Sequence, residues 1–377
     1  MIHPPPSAQP ILEASNLSAI LGGKKILEIP SLHVFPNEVF VVIGPNGSGK
    51  TTLLLCMALL LKPADGTITY QGHTVNHNSD LLSLRRRFAV VFQEALLLNT
   101  TVWNNISLGL RLRKLKKEDI KPRVQTWLER FGIASLAQRQ ARTLSGGEAK
   151  RVSLARAFAL QPEVLFLDEP FASLDTPTHQ SLIEDFDSVL RETRVTTIMV
   201  THDRSEALAL ANRVALLMGG KIRQVGTPEE VFSCPVDEEA ANFIGAGNVI
   251  NGVVSSQSDR LAQVVMGRQQ LCVVSDVLRG TRVTMFLHYE DITILLPSSQ
   301  SIRSSARNQL NGKITKVFPL HSQLKVTIDC GFPLIALITK RSWEELALSI
   351  GQEVIASFKA SSVHLIGKCC IVNKGCI

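Results

Sequence analysis

Apolar residues in this chain fall into short dense runs separated by turn residues. Val39 to Ile43, Val164 to Leu167 and Thr196 to Val200 lack polar alternation. Runs this short and this apolar predict strands buried on both faces of a parallel sheet. Phe88 to Phe92 and Thr67 to Tyr70 read as further strands, and Ile11 to Pro36 as short β segments around a Gly22-Gly23 turn. Val214 to Met218 and Lys221 to Val225 predict a hairpin about Gly219-Gly220. Between the strands the period changes. Thr52 to Leu61 predicts a helix, and from Thr101 to Leu160 leucines recur at three- and four-residue spacing with polar residues outside. A helix also continues from Asp203 through Ala211. Strands alternating with helices predict an α/β core with a largely parallel sheet.

The texture changes after about Phe243. Gly245-Ala246-Gly247 reads as a flexible break, and the chain beyond it is rich in strands and turns. Strand-like runs are Gln270 to Val274, Val283 to Leu287, Lys313 to Val317, Lys325 to Ile328, Leu334 to Ile338 and Glu353 to Phe358. Short strands at this spacing predict a small all-β, OB-like barrel. Serine-rich Ser298 to Ser305 reads as a linker within this part.

A length of 377 residues predicts two or three domains, and 45% hydrophobic residues supply their cores. The longest apolar run, Leu53 to Leu61, is less than half of the ~20 residues a membrane span needs. Proline-rich Met1 to Pro10 has no apolar core of a signal peptide and reads as a disordered leader. The 7 cysteines form no C-x-x-C pair, which favours reduced thiols over a disulfide framework or a zinc site. The net charge of +7 is dispersed. Its denser places, Arg85 to Arg87 and Arg111 to Lys121, carry no interleaved aromatics and read as solvated helical faces, with a membrane surface or membrane partner as the functional alternative.

The chemistry is concentrated at Gly44-Pro45-Asn46-Gly47-Ser48-Gly49-Lys50-Thr51, which fits G-x-x-x-x-G-K-[ST] between a strand and a helix. Its glycines let backbone N–H groups close around a polyphosphate, and the helix N-terminus at Thr51 and Thr52 adds its dipole. Lys50 would reach the β- and γ-phosphates of a nucleotide, and Thr51 would hold Mg²⁺. The strand Val164 to Leu167 delivers Asp168, a ligand for Mg²⁺, and Glu169, placed to orient or deprotonate the attacking water. Gln93 ends another strand and would sense the γ-phosphate, Mg²⁺ and water together, and His202 ends a third and would contact the γ-phosphate. All of these lie at carboxyl ends of strands, where open α/β sheets bind ligands. Ser145-Gly146-Gly147-Glu148 forms a second phosphate site at a helix start, without a lysine. Alone it would be a loop and an N-cap. Beside the other motifs it implies two copies arranged head to tail, each completing the other's site.

In order along the chain, these residues resemble the ATP-binding subunits of ABC transporters over about residues 11–235. The resemblance implies a P-loop NTPase fold with a helical subdomain at about 94–160. It assigns Gly44 to Thr51 to the Walker A loop, Gln93 to the Q-loop and Leu144 to Glu148 to the signature. It assigns Asp168 to Walker B, Glu169 to the catalytic carboxylate, Ser173 to Asp175 to the D-loop and His202 to the switch histidine. One departure stands out: the family usually stacks adenine on an aromatic residue where this chain has Leu21, which predicts weak discrimination of ATP from GTP.

The tail carries a second resemblance. Ser305 to Gly312, Ile338 to Ser342 and Phe358 to Val363 are similar to the molybdate-binding barrels of small molybdopterin-type proteins and of molybdate or tungstate importers, over about 303–366. A β-rich segment, 236–302, would connect this TOBE/Mop-like barrel, at 303–370, to the ATPase domain. A tetrahedral dianion wants N–H and O–H donors and a nearby cation, and Ser305, Arg307, Lys359, Ser361 and Ser362 would supply them, between the barrels of two chains. The alternative is a barrel that binds nothing.

The implied function is ATP hydrolysis driving uptake of molybdate or tungstate. It needs a homodimer, a separate membrane permease docked at Glu94 to about Arg113, and indirectly an extracytoplasmic binding protein. The chain would sit peripherally on the cytoplasmic face of the membrane. Sulfate or another substrate, with a structural tail, is the alternative. A soluble ATPase acting on nucleic acid fits less well, since such proteins tend to carry two ATPase units or a coiled-coil insertion.

Overall fold

The computed structural model describes residues 9–76, 79–245, 247–297, 305–320 and 323–366. The expected leader, except Gln9 and Pro10, and the expected linker, except Ser305, lie outside them. The chain forms two compact units, divided between Pro228 and Glu229.

The first unit is built on a six-stranded sheet in the order Lys221–Gly226, Arg213–Met218, Val39–Ile43, Thr196–Thr201, Val164–Asp168 and Phe88–Val91. All neighbours are parallel except the Lys221–Gly226 edge hairpin. The three central strands are buried at every position, the physical reason their sequences lack alternation. An antiparallel sheet of Lys24–Val34, Leu12–Leu21, Asp65–Tyr70 and His73–Val75 accompanies it. Leu12, Leu17, Leu27 and Ile29 from that sheet share one core with Phe40, Leu54 and Phe166.

The helical segment contains Val102–Leu112, Lys117–Arg130 and Gly146–Ala159. Trp127 stacks on Phe158 at 4.9 Å between ring centres, and Phe158 meets Phe186 edge-on at 6.0 Å. Phe186 belongs to Thr176–Thr193, a helix absent from the sequence-based expectations. Asp175 caps it by accepting from Thr178 N at 3.0 Å, and it buries Leu182, Phe186, Val189 and Leu190 along one stripe. The helix expected at Thr52 to Leu61 runs instead over Lys50–Met57; Leu59, at φ +61°, has left the helical region. The arginine-rich face is tied down more than expected. Arg85 donates to Leu59 O at 2.9 Å, Arg113 donates to Leu160 O at 2.8 Å, and Arg87 pairs with Glu163.

The second unit carries two five-stranded sheets. One orders Gln269–Val274, Leu261–Met266, Gly247–Ser258, Arg282–His288 and Val363–Leu365; the other orders Thr293–Leu295, Glu353–Phe358, Asn308–Leu320, Gln323–Asp329 and Pro333–Thr339. The sheets exchange strands: Met285 pairs with Leu365, and Ile294 with Ala356. Ile250, Val264 and Leu287 share one core with Ile314, Val326 and Val354. Residues 236–302 therefore do more than connect; they supply most of one sheet of the body that the tail completes. Two buried asparagines stitch the sheets together. Asn308 accepts from Cys272 N at 2.7 Å and donates to Cys272 O at 2.9 Å, while Asn248 does the same with Ile335 at 2.7 and 2.9 Å. Each side-chain amide pairs like a strand residue with an edge strand that lacks a neighbour there. Cys56, Cys272 and Cys330 are buried free thiols.

Candidate functional site

The phosphate loop leaves the strand Val39–Ile43 and enters the helix Lys50–Met57. Two glycines are required by space. A Cβ on Gly44 would lie 2.0 Å from Leu217 O, and one on Gly49, at φ +101°, would lie 2.6 Å from Leu27 Cδ2. The turn they permit buries Lys50, whose Nζ donates to Gly44 O at 2.9 Å and Pro45 O at 3.1 Å. Burial lowers the Lys50 pKa, opposed by Glu169 and Asp168. Ser48 is buried as well, and its Oγ finds no hydrogen-bond partner among the described residues. An orphaned hydroxyl, a desolvated ammonium and a helix N-terminus meet in one loop, a donor set that suits an anion.

Thr51 Oγ1 donates to Asp168 Oδ1 at 3.0 Å across 117 residues of sequence. These adjacent oxygens suit Mg²⁺, which takes oxygen ligands. Asp168 is buried and its pKa is raised, chiefly by burial, with Thr51, Lys50 and Lys150 pulling the other way. Next to it Glu169 adopts φ +43°, uncommon for a residue with a side chain, and its N–H donates to Val200 O at 2.9 Å. This turn aims the Glu169 carboxylate at His202, with Nδ1 to Oε1 at 3.1 Å. Gln93 lies just beyond the Phe88–Val91 strand and is exposed. The structure thus brings Lys50, Thr51, Asp168, Glu169 and His202 together at one edge of the sheet, with Gln93 at the end of the neighbouring strand.

The signature lies elsewhere. Ser145 and Glu148 form a reciprocal cap: Ser145 Oγ accepts from Glu148 N at 3.2 Å, and Glu148 Oε2 accepts from Ser145 N at 2.7 Å. Backbone hydrogen bonding lowers the Glu148 pKa. Ser145 to Glu148 line an open groove of about 600 Å³ with Ser173, Leu174, Asp175 and Thr178, and no phosphate-loop residue lines it. A Cβ on Gly146 would meet nothing within 4 Å, so its backbone is open to that groove. The loop-and-cap reading of Ser145 to Glu148 is therefore correct as local structure, and the groove is what it leaves free.

Sequence reasoning missed Lys150 and Arg156, buried and half-buried cations on the signature helix that hold the backbone after Gln93. Their signal was available: charges at positions that the helical period places inside. The five tail residues are mostly exposed: Ser305, Arg307, Lys359 and Ser361 face solvent and Ser362 is half-buried. The Asn308–Phe358 pairing brings Ser305 to Arg307 and Lys359 to Ser362 to the same end of one ladder. Leu21 is 46% exposed, at the end of the Leu12–Leu21 strand.

Comparison with known proteins agrees with this geometry. Residues 27–172 match the ABC transporter family and residues 304–365 the TOBE domain. The molybdate/tungstate import ATP-binding protein WtpC of Pyrococcus horikoshii is 37% identical over 94% of this chain and 99% of its own. The spermidine/putrescine import ATP-binding protein PotA of Acetivibrio thermocellus is 31% identical over 95% of this chain and 97% of its own. Among solved structures, cbiO1 from Clostridium perfringens, part of an ABC transporter complex, superposes with a TM-score of 0.56 at 29% identity, over 63% of this chain and 94% of that one. The dimeric cassette MJ0796, in a post-hydrolysis state bound to ADP and Pi, gives 0.53 at 26% identity, over 58% and 98%. With family matches in both units and relatives aligned over nearly their full length, the chain belongs to the ABC transporter family, as an ATP-hydrolysing import subunit with a C-terminal TOBE domain.

Proposed function

We propose that two copies of this chain hydrolyse MgATP at their interface and so energise import of molybdate or tungstate through a separate membrane permease. The observation that carries the dimer is the open groove at Ser145 to Glu148, which no phosphate loop of the same chain lines. A second copy arranged head to tail would bring its bound nucleotide there. In each site Lys50 exchanges the Gly44 and Pro45 carbonyls for phosphate oxygens, and Thr51 and Asp168 would hold Mg²⁺, whose charge would offset that of the phosphates. Glu169 polarises the attacking water, His202 orients Glu169 and reaches the γ-phosphate, and Gln93 senses both. The chemistry is positioning and charge neutralisation, without a covalent enzyme intermediate.

Among the described residues no helix is long and apolar enough to cross a membrane. The chain works from the cytoplasmic face of the membrane, bound to its permease, with an extracytoplasmic binding protein as indirect partner and no role for nucleic acid. Glu94 to Arg113 is the docking segment; it exposes Leu96, Leu98 and Leu112. Leu98→Asp should abolish permease-stimulated hydrolysis and leave the basal rate intact; unchanged stimulation would remove this segment from the interface.

The substrate assignment rests on the relatives named for molybdate/tungstate import and on the donors gathered at one end of the Asn308–Phe358 ladder. Relatives named for spermidine/putrescine import support the second reading, another substrate (sulfate included) with a structural tail. Calorimetric titration of molybdate, tungstate and sulfate into the full chain decides. Saturable heat from the first two, lost in Arg307→Ala/Lys359→Ala, supports anion binding by the tail. No heat from any of them makes the tail structural and leaves the substrate to the permease.

A further inference from the structure

The helix Gly146–Ala159 begins at the signature and carries three cations, of which two, Lys150 and Arg156, turn onto the segment at Gln93. Lys150 is 7% exposed, and lysine is almost never this buried unless paired. Its Nζ donates to the main-chain carbonyl of Gln93. Less than two turns on, Arg156 reaches the same stretch of backbone: Nη1 donates to Leu96 O at 3.0 Å and Nη2 to Ala95 O at 3.1 Å.

The stretch they hold needs holding. Residues 92–98 form no helix or strand. Leu96 sits at φ +43°, a conformation that a residue with a branched side chain adopts only under outside constraint. Three carbonyls of this stretch, those of Gln93, Ala95 and Leu96, are taken by the two cations. Burial lowers the pKa of both. For Lys150 the carboxylates of Glu206, Glu169, Asp168 and Glu94 oppose this and favour the ammonium. The rigid start of the helix matters too, because the Ser145–Glu148 cap fixes the signature end of the rod that bears Lys150.

We propose that Lys150 and Arg156 are positioning residues that fasten the Gln93 segment to the signature helix, so that Gln93 at one nucleotide and Ser145 to Gly147 at the other shift as one body. The proposal rests on the reading of Gln93 as the residue that senses the γ-phosphate and its water. It makes the link between the two half-sites of a dimer run through a single chain. Loosening Lys150 would leave ATP bound, since the phosphate loop is untouched, but would let Gln93 stray from its working position.

The test is steady-state ATPase kinetics of the full chain carrying Lys150→Met, Gln93→Ala or both. Lys150→Met should lower kcat about tenfold, the loss of one charge-assisted hydrogen bond, and leave the KM for ATP within about twofold. Added to Gln93→Ala, it should cost no more than about twofold further, because residues acting through one group are not additive. Lys150→Gln, whose amide still donates, should recover most of the rate. If Lys150→Met costs the same factor with and without Gln93, or raises KM at constant kcat, the proposal fails. If Gln93→Ala is slow and Lys150→Met is at the wild-type rate, the proposal fails alone and the Gln93 reading stands. If Gln93→Ala is at the wild-type rate, both fall. Should Lys150→Met not fold, Arg156→Lys makes the same comparison, since it keeps the charge and loses the fork that spans two carbonyls.

Discussion

The two units bury polar side chains to opposite ends. In the ATPase unit Ser48, Lys50 and Asp168 are all nearly inaccessible, and they cluster where strands end. Their hydrogen bonding is incomplete or provisional: Ser48 Oγ has no partner among the described residues, and Lys50 rests on two carbonyls of its own loop. In the β unit Asn248 and Asn308 are equally buried, yet each makes reciprocal bonds to a backbone edge. Buried polar groups in native proteins are satisfied. A satisfied one therefore speaks for architecture, and an orphaned one for a ligand. By that criterion the ATPase site announces itself, while the exposed donors of the tail speak for neither.

The comparison breaks first if the incomplete cluster is not the reacting one. Glu169→Gln keeps shape and hydrogen bonding to His202 and removes the carboxylate proposed to polarise water. Turnover should fall by about a hundredfold or more, the usual range for a lost general base, while ATP stays bound and holds the dimer closed. Single-turnover hydrolysis and retention of nucleotide on gel filtration read both effects. Wild-type turnover would take the role from Glu169.

The other half is tested at Asn308. Asn308→Ala strips partners from the Cys272 N–H and C=O, both buried, and should destabilise the β unit by about 2–4 kcal/mol. Denaturant unfolding followed on the full chain measures it, while the ATPase rate at a permissive temperature should stay near wild type. A neutral Asn308→Ala would mean that the edge finds other partners, and the division between architectural and ligand-seeking polar groups would lose its clearest example.

The motifs were legible because each is local. Gly44 to Thr51, Asp168-Glu169 and Ser145 to Glu148 each combine a turn with the start or end of one element, and strands buried on both faces give unbroken apolar runs. Features that depend on distant pairing were not legible. The Lys150 link to Gln93 spans 57 residues: the helical period places Lys150 inside but does not say which carbonyl it meets. The return of Val363–Leu365 to a sheet founded by Gly247–Ser258 is likewise a matter of topology. The expected boundary near 303 followed the resemblance to the barrel, beside the start of the TOBE match at 304, and a local match of this kind carries no information about which sheet a later strand joins. The helix Thr176–Thr193 is different, since its stripe of Leu182, Phe186, Val189 and Leu190 has a local helical period and was readable.

The smallest effect concerns a residue that is exposed rather than buried. Leu21 pairs with Lys24 at the tip of the hairpin formed by Leu12–Leu21 and Lys24–Val34. The same hairpin presses on the phosphate loop, where a Cβ on Gly49 would lie 3.3 Å from Ile26 O. The tip therefore borders the loop that holds phosphates, and Leu21 and Ile20, 46% and 54% exposed, offer an apolar surface there. An aliphatic surface excludes water from a purine without a π face to stack on. It also carries no side-chain donor or acceptor to tell adenine from guanine. Leu21→Tyr should tighten ATP by about 1 kcal/mol, roughly fivefold, and GTP by nearly the same factor, because both purines present an equivalent face. Competition of ATP and GTP for the wild-type chain should show a preference of no more than about fivefold, since the phosphates dominate binding. A strong ATP preference in the wild type would mean that the base is read by a polar group, and an unchanged affinity in Leu21→Tyr would move the base off this hairpin altogether.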